Sequence, residues 1–219
     1  MNGSSESRKE ATDRKIEVLS AKTKTRIGFW NVRTMYETGK LAQVTSEMRR
    51  YKLHILGVSE SRWTGPGRLM TTGETVLYSG REDNQHHEGV ALILRSLREW
   101  KPVSSRVMSA SLNGRHTNIT LIQCYASTND REDTDKDAFY QQLRIEVDAV
   151  PRHDLTIVMG GLNAKDGSDN IYCERAMGKH RCGNRDENVE RLIDFCNMNS
   201  PFIGGTLFPH QDIHKLTWR

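Results

Sequence analysis

Long hydrophobic runs are missing from this chain. No apolar stretch approaches the roughly 20 residues that cross a bilayer, and 27% of its 219 residues are charged, so a helix-spanning membrane protein is excluded. The N-terminus lacks the apolar core of a signal peptide, and the sequence therefore predicts a nuclear or cytoplasmic protein rather than a secreted one. CxxC pairs are also absent. Cys124, Cys173, Cys182 and Cys196 are widely spaced, which predicts reduced thiols, two of them in the core. Aromatic residues are missing from Met1 to Lys24, a stretch of mixed charge; it reads as a disordered leader, residues 1–24, with a short helix near Lys15 to Leu19. Internal repeats and a second domain are lacking too, leaving residues 25–219 as one domain. Charge is not strongly one-sided: the net charge of +4 fits a polyanion partner without identifying one.

What is present is a succession of short apolar runs, each ending in a polar residue. Arg26 to Trp30 reads as a strand that Asn31 closes. Lys40 to Tyr51 has Leu41, Val44, Met48 and Tyr51 on one helical face. Strands are expected at Leu53–Val58, which delivers Glu60, then at Thr75–Ser79 after a Gly/Pro/Thr-rich loop from Thr64 to Gly73. Gly89–Arg95 is apolar nearly throughout, as for a strand covered on both faces. Val103–Leu112 alternates like a half-exposed strand, and Thr117–Cys124 delivers Tyr125. Asp133–Val147 and Asn188–Asn197 read as helices, Phe202–Phe208 as a strand, and Lys165–Asn184 as a loop. Between them, Asp154–Met159 is a strand that stops at Gly160-Gly161 and is followed by Asn163. The alternation predicts a layered α/β domain with a mixed sheet or two packed sheets.

Strands that lie side by side and run the same way would bring Asn31, Glu60, Tyr125 and Asn163 to one rim. A carboxylate with amide oxygens suits Mg²⁺, which keeps few protein ligands and several waters. A phenol and an amide can donate to a phosphate oxygen. Together they point to metal-assisted phosphodiester hydrolysis. Singly, each has a plainer reading: turn asparagines, a solvated glutamate, a tyrosine at the edge of the core. Arg33, Arg62, Arg68 and Lys165 are basic candidates near the rim. His210 and His214, and Cys173 with His180 and Cys182, have spacings that make weak zinc sites, and His86-His87 reads as a solvated turn.

The blocks Phe29-Trp30-Asn31-Val32-Arg33-Thr34, Gly57-Val58-Ser59-Glu60-Ser61-Arg62-Trp63, Gln123-Cys124-Tyr125-Ala126 and Met159-Gly160-Gly161-Leu162-Asn163-Ala164-Lys165 resemble the endonuclease/exonuclease/phosphatase superfamily. The resemblance is nearest to endonuclease domains of non-LTR retrotransposons of the RTE/Bov-B type and to the craniofacial development protein 2-like proteins. Glu88-Gly89-Val90-Ala91-Leu92, Asp137-Ala138-Phe139-Tyr140 and Gly205-Thr206-Leu207-Phe208-Pro209-His210 extend it. It implies a DNase I-like four-layer sandwich, two packed mixed β-sheets flanked by helices, acting on DNA with Mg²⁺ or Mn²⁺. It further implies that Glu60 holds the metal with help from Asn31, that Asn31 and Thr217 contact phosphate, that Tyr125 orients the scissile phosphate, and that Asn163 stabilises the transition state. Two departures follow from the same resemblance. The family pattern Gly-Asp-x-Asn has Gly161 at the aspartate position, and a final segment with an Asp-His pair is expected beyond Arg219 but absent from the sequence. Since removing a general base costs roughly 10²–10⁴ in rate, the expectation is an impaired nuclease. The alternatives are a non-catalytic DNA- or protein-binding module on the same scaffold, a lipid phosphodiesterase of the same fold, or a decayed reading frame without a selected role.

Overall fold

The computed structural model describes residues 24–164, 187–199 and 203–204. Nine strands and three helices follow one another as β1 (Ile27–Asn31), α1 (Lys40–Arg50), β2 (Ile55–Ser59), β3 (Pro66–Met70), β4 (Thr75–Ser79), β5 (Val90–Leu94), β6 (Glu99–Pro102), β7 (Val107–Leu112), β8 (Ile119–Tyr125), α2 (Asp133–Asp148), β9 (Leu155–Gly161) and α3 (Glu187–Asn199) among the described residues. They build one sheet in the order β1-β2-β5-β4-β3 and a second in the order β6-β7-β8-β9. The pairs β1/β2 and β8/β9 are parallel and the remaining pairs antiparallel. Both sheets are therefore mixed, as expected.

Strand periodicity assigns the layers. In β5, Val90, Leu92 and Leu94 face the second sheet and meet Met108, Ala110, Leu112, Ile119 and Leu121. Ala91 and Ile93 face the other way, against Val44 and Met48 of α1. Two covered faces are the reason this strand reads as an unbroken apolar run. On the far side, Ile122 and Cys124 of β8 pack on Phe139 and Leu143 of α2 and on Val189, Leu192 and Ile193 of α3. The result is helix, sheet, sheet, helix. Leu92 is fully buried, and cutting such a side chain to alanine costs about 2–5 kcal/mol. An exposed ion pair contributes roughly 0–1 kcal/mol, so apolar burial holds the frame and the charges are left free for other roles. No helix among the described residues is long and apolar enough to cross a membrane.

Three expected elements come out differently. The stretch Thr64 to Gly73 is not all loop: β3 lies within it, pairing among the described residues with β4 alone and almost entirely exposed. An edge position tolerates its Pro66 and leaves no apolar alternation to read. Val103–Leu112 is not one strand. Val103 and Ser104 both donate to the carbonyl of Val107, and the Ser104 hydroxyl accepts from the amides of Arg106 and Val107, a serine turn that separates β6 from β7. Finally, β9 does not stop at its glycines. Gly160 and Gly161 pair with Cys124 and Tyr125 of β8, which carries the strand two residues closer to the rim.

Near that rim the two sheets are fastened by polar contacts. Gly57, Ser59 and Gln123 all lie on inward-facing positions. The Gln123 amide donates to the carbonyl of Val58 at 3.2 Å and to the Ser59 hydroxyl at 3.4 Å. A side chain at position 57 would collide with it, since a Cβ there would sit 2.1 Å from Gln123 Oε1. The glycine is what lets an amide from one sheet reach the backbone of the other, and that contact sets the separation of the strand ends carrying Glu60 and Tyr125.

Candidate active site

Three of the loops that leave the sheets at this end turn sharply. Arg33, Glu60, Arg62 and Asn163 all have positive φ, between 47° and 61°, a conformation costing an ordinary residue about 1–2 kcal/mol. Such strain persists where the surroundings over-determine it, and it gathers at functional sites. Here it turns the residues after β1, β2 and β9 toward one another.

The side chains meet in a continuous line. Asn31 Nδ2 donates to Glu60 Oε1 at 2.7 Å, and the Tyr125 hydroxyl donates to the same oxygen at 2.7 Å. The Asn31 Oδ1 atom accepts from the amide of Arg33 at 3.0 Å. Nitrogen toward a carboxylate and oxygen toward an N–H fixes the orientation of this amide. Asn31 as placed orients Glu60 from the side. Asn163 Nδ2 donates to the carbonyl of Ala126 at 2.7 Å. Among the described residues the bonds from Asn31 and Tyr125 both fall on Glu60 Oε1 and none on Oε2.

Tyr125 is a donor and not a base. Burial, reinforced by the hydrogen bond to Glu60 and its charge, pushes the phenol up to about 12, against the opposing influence of Arg106 and Asn163. It stays protonated at neutral pH. Gly161 lies beside it: a Cβ there would be 3.2 Å from Tyr125 Cδ2 and 3.5 Å from Phe29 Cζ, so a side chain at 161 would enter the site next to the phenol. Glu60 and Tyr125 border an open cleft of about 530 Å³, also lined by Arg62, Arg81, Arg106, Arg131, Glu88 and His87. Four guanidinium groups against two carboxylates make it a place for an anion.

The structure therefore brings Asn31, Glu60, Tyr125, Asn163 and Gly161 together, as the strand-end pattern implied, though from two sheets rather than one. Arg62 reaches the cleft. Arg68 does not: it stands on β3, which β4 and β5 separate from β2. His86 is exposed, with its ring tilted against that of Tyr36, centroids 4.1 Å apart, and its Nδ1 meeting the carbonyl of Arg62 at 2.8 Å. Cys124 and Cys196 are buried free thiols, the two expected core cysteines. Thr217, Lys165, His210, His214, Cys173, His180 and Cys182 lie outside the described residues. Sequence reading missed Arg106, Arg131 and Asn188. Asn188, almost wholly buried, donates to the carbonyls of Ser127 and Asn163 at 3.0 Å each and ties α3 to the loop holding Asn163. Its one sequence signal was an amide at the head of a predicted helix.

Comparison with known proteins agrees with this architecture. No family model matches the chain. Craniofacial development protein 2 from Tragulus javanicus is 35% identical over 197 residues, covering 88% of this chain and 34% of that protein; the Bos taurus protein is likewise 35% identical, with 33% of its length covered. The chain spans about a third of the length of these relatives. Among solved structures, the endonuclease domain of TRAS1, a telomere-specific non-LTR retrotransposon, superposes with a TM-score of 0.54 at 16% identity, over 80% of this chain and 71% of that one. An AP endonuclease from Archaeoglobus fulgidus gives 0.54 at 19% identity, over 80% and 70%. The chain has a DNase I-like fold, and its sequence is similar to about one third of craniofacial development protein 2.

Proposed function

We propose that the chain is a DNA endonuclease-like phosphodiesterase domain of retrotransposon type, dependent on a divalent metal such as Mg²⁺ or Mn²⁺, and that Gly161 leaves it close to catalytic silence. One observation carries the reading: Glu60, whose Oε1 is held by two donors, Asn31 and Tyr125, borders an arginine-rich cleft. A single well-oriented carboxylate with room for waters fits a magnesium ion, which takes one or two carboxylates and keeps much of its hydration. A metal there would offset charge building on the phosphate. The chain's own residues do the rest. On this reading Arg62 and Arg131 draw the backbone in, the Tyr125 phenol orients Glu60 and the phosphate, and the Asn163 amide, one N–H of which goes to the Ala126 carbonyl, offers its other N–H to a developing oxyanion.

Hydrolysis joins a water oxygen to phosphorus, breaks a P–O ester bond and moves a proton to the leaving oxygen. Nothing at position 161 can align that water or take its proton. A second reading, a DNA-binding module without catalysis, is favoured by the same absence together with Arg62 and Arg131, which no ion pair among the described residues engages. Incubation with Mg²⁺ and a duplex containing an abasic site, alongside Gly161→Asp, separates the two. Salt-dependent binding with nicking only in Gly161→Asp is expected. Robust metal-dependent nicking by the unmodified chain would overturn the silence, and absence of binding would overturn both readings.

A further inference from the structure

Among the residues lining the cleft is an ion pair to which the proposed chemistry gives no step, Glu88 with Arg106. Glu88, two residues before β5, has φ 62°, and its three oxygens reach two segments, Ser105-Arg106 and the one holding Arg62. Oε1 accepts from Arg106 at 2.6 Å, Oε2 accepts from the Ser105 hydroxyl at 2.7 Å, and the carbonyl accepts from the amide of Arg62 at 2.8 Å. Arg106, immediately before β7, is turned the other way, toward Tyr125. Its guanidinium donates to the Tyr125 carbonyl at 3.2 Å and lies 5.5 Å from the centre of the phenol ring, while its own carbonyl accepts from the Tyr125 amide at 2.8 Å. The side chains are only 18% and 12% exposed for Arg106 and Glu88.

Stability alone does not account for such a pair. A well-packed apolar pair would do as well or better, because desolvating two charges offsets their attraction. A phenol, however, needs its ring plane fixed if its hydroxyl is to meet one chosen carboxylate oxygen. Apolar packing leaves a ring free to slide, whereas a planar cation held from behind does not. Glu88 is joined to both ends of the interaction it would govern: its carbonyl anchors the segment of Glu60, and its carboxylate anchors the cation lying on Tyr125.

We infer that Glu88 and Arg106 are a positioning pair: Glu88 fixes the Arg106 guanidinium against the carbonyl and ring of Tyr125, and so sets where the phenol meets Glu60. The catalytic consequence rests on the phosphodiesterase reading; the positioning does not. The test uses the full chain labelled with ¹³C-tyrosine, the Tyr125 ring resonance being assigned by its loss in Tyr125→Phe. Glu88→Gln, conservative in shape, is expected to move that resonance although Arg106 stands between the two residues, and Arg106→Lys to move it further, because an ammonium lacks the planar fork. The charge-swapped Glu88→Arg/Arg106→Glu chain is expected to recover thermal midpoint without recovering the resonance. An unmoved resonance in Glu88→Gln, or recovery of both properties by the swap, overturns the inference. Should the swapped chain fail to fold, Glu88→Gln decides alone. In the Gly161→Asp background, Glu88→Gln should lower kcat on the abasic duplex by roughly tenfold to a hundredfold with KM within about twofold, as expected for misplacement rather than lost binding. No nicking in any Gly161→Asp chain counts against the functional reading, and the resonance still decides the positioning.

Discussion

Tyr125 closes β8 in one sheet and Glu60 follows β2 in the other, yet the phenol donates to the carboxylate across the gap at 2.7 Å. The contact is therefore also a clasp between the two sheets at their working end. Tyr125→Phe keeps the ring and removes only the donor. Loss of one such hydrogen bond to a charged acceptor is worth about 1.5–3 kcal/mol. A matching drop in urea-unfolding stability is expected. In Gly161→Asp the same change should cut nicking by about 10²-fold, the usual cost of one lost donor. Equal nicking with and without the hydroxyl would remove Tyr125 from the chemistry.

Gly160 and Gly161 are neighbours with opposite tolerance. At Gly160, φ is +142° and a Cβ would lie 1.8 Å from the carbonyl oxygen of Cys124. Even Gly160→Ala must break the β8–β9 ladder, and it should destabilise by on the order of 3 kcal/mol or more. At Gly161 the nearest atom to a Cβ is a ring carbon of Tyr125 at 3.2 Å, which a shift of a few tenths of an ångström relieves. Gly161→Asp should therefore fold with a midpoint within about 1 kcal/mol of the parent. Thermal melts of the two variants check this. Comparable damage at both positions would mean that position 161 cannot receive the side chain the functional reading requires.

The strand ends were legible because burial leaves a mark. β5 lies between two layers and reads as apolar throughout, and each of the runs around Ile55, Leu121 and Ile157 stops where its polar residue begins. β3 was not legible, because an exposed edge imposes no pattern on Pro66 to Met70. The break between β6 and β7 depends on one serine hydroxyl capping two amides, which periodicity cannot register. The same limit hid Glu88 and Arg106. Their pairing joins residues 18 apart through the placement of one sheet on the other, a three-dimensional fact without a one-dimensional signature.

Three protons are held more tightly in the native state than outside it. Burial pushes the Cys124 thiol up to about 12 and the Cys196 thiol up to about 11, and Tyr125 stands at about 12 for reasons led by burial. A raised native value contributes stability that is complete below the unfolded value and is lost as pH climbs through the native one. The unfolded values are about 8.5 for a thiol and about 10 for a phenol. Urea midpoints should therefore be insensitive to these groups at pH 7–8 and fall from about pH 9 to about pH 12. Cys124→Ala should make the fall shallower. A midpoint constant up to pH 12 would show that these groups are not shielded in solution.

Arg62 and Arg131 line the cleft and are engaged by no ion pair among the described residues, whereas Arg81 is held by Asp83 and Glu88. An arginine that meets a phosphate releases about one counterion, and its removal lowers the slope of log K against log salt by about 1. An arginine already paired has less charge to offer, and its loss changes the slope little. On the DNA reading, Arg62→Ala and Arg131→Ala should each reduce the slope by about 1, together by about 2, while Arg81→Ala leaves it nearly unchanged. The comparison is made on one abasic duplex over a salt series without Mg²⁺, so that nicking does not intrude. Equal slopes for all three variants would mean that attraction to DNA comes from net charge spread over the whole surface, and the cleft would then lose its claim to be the binding site.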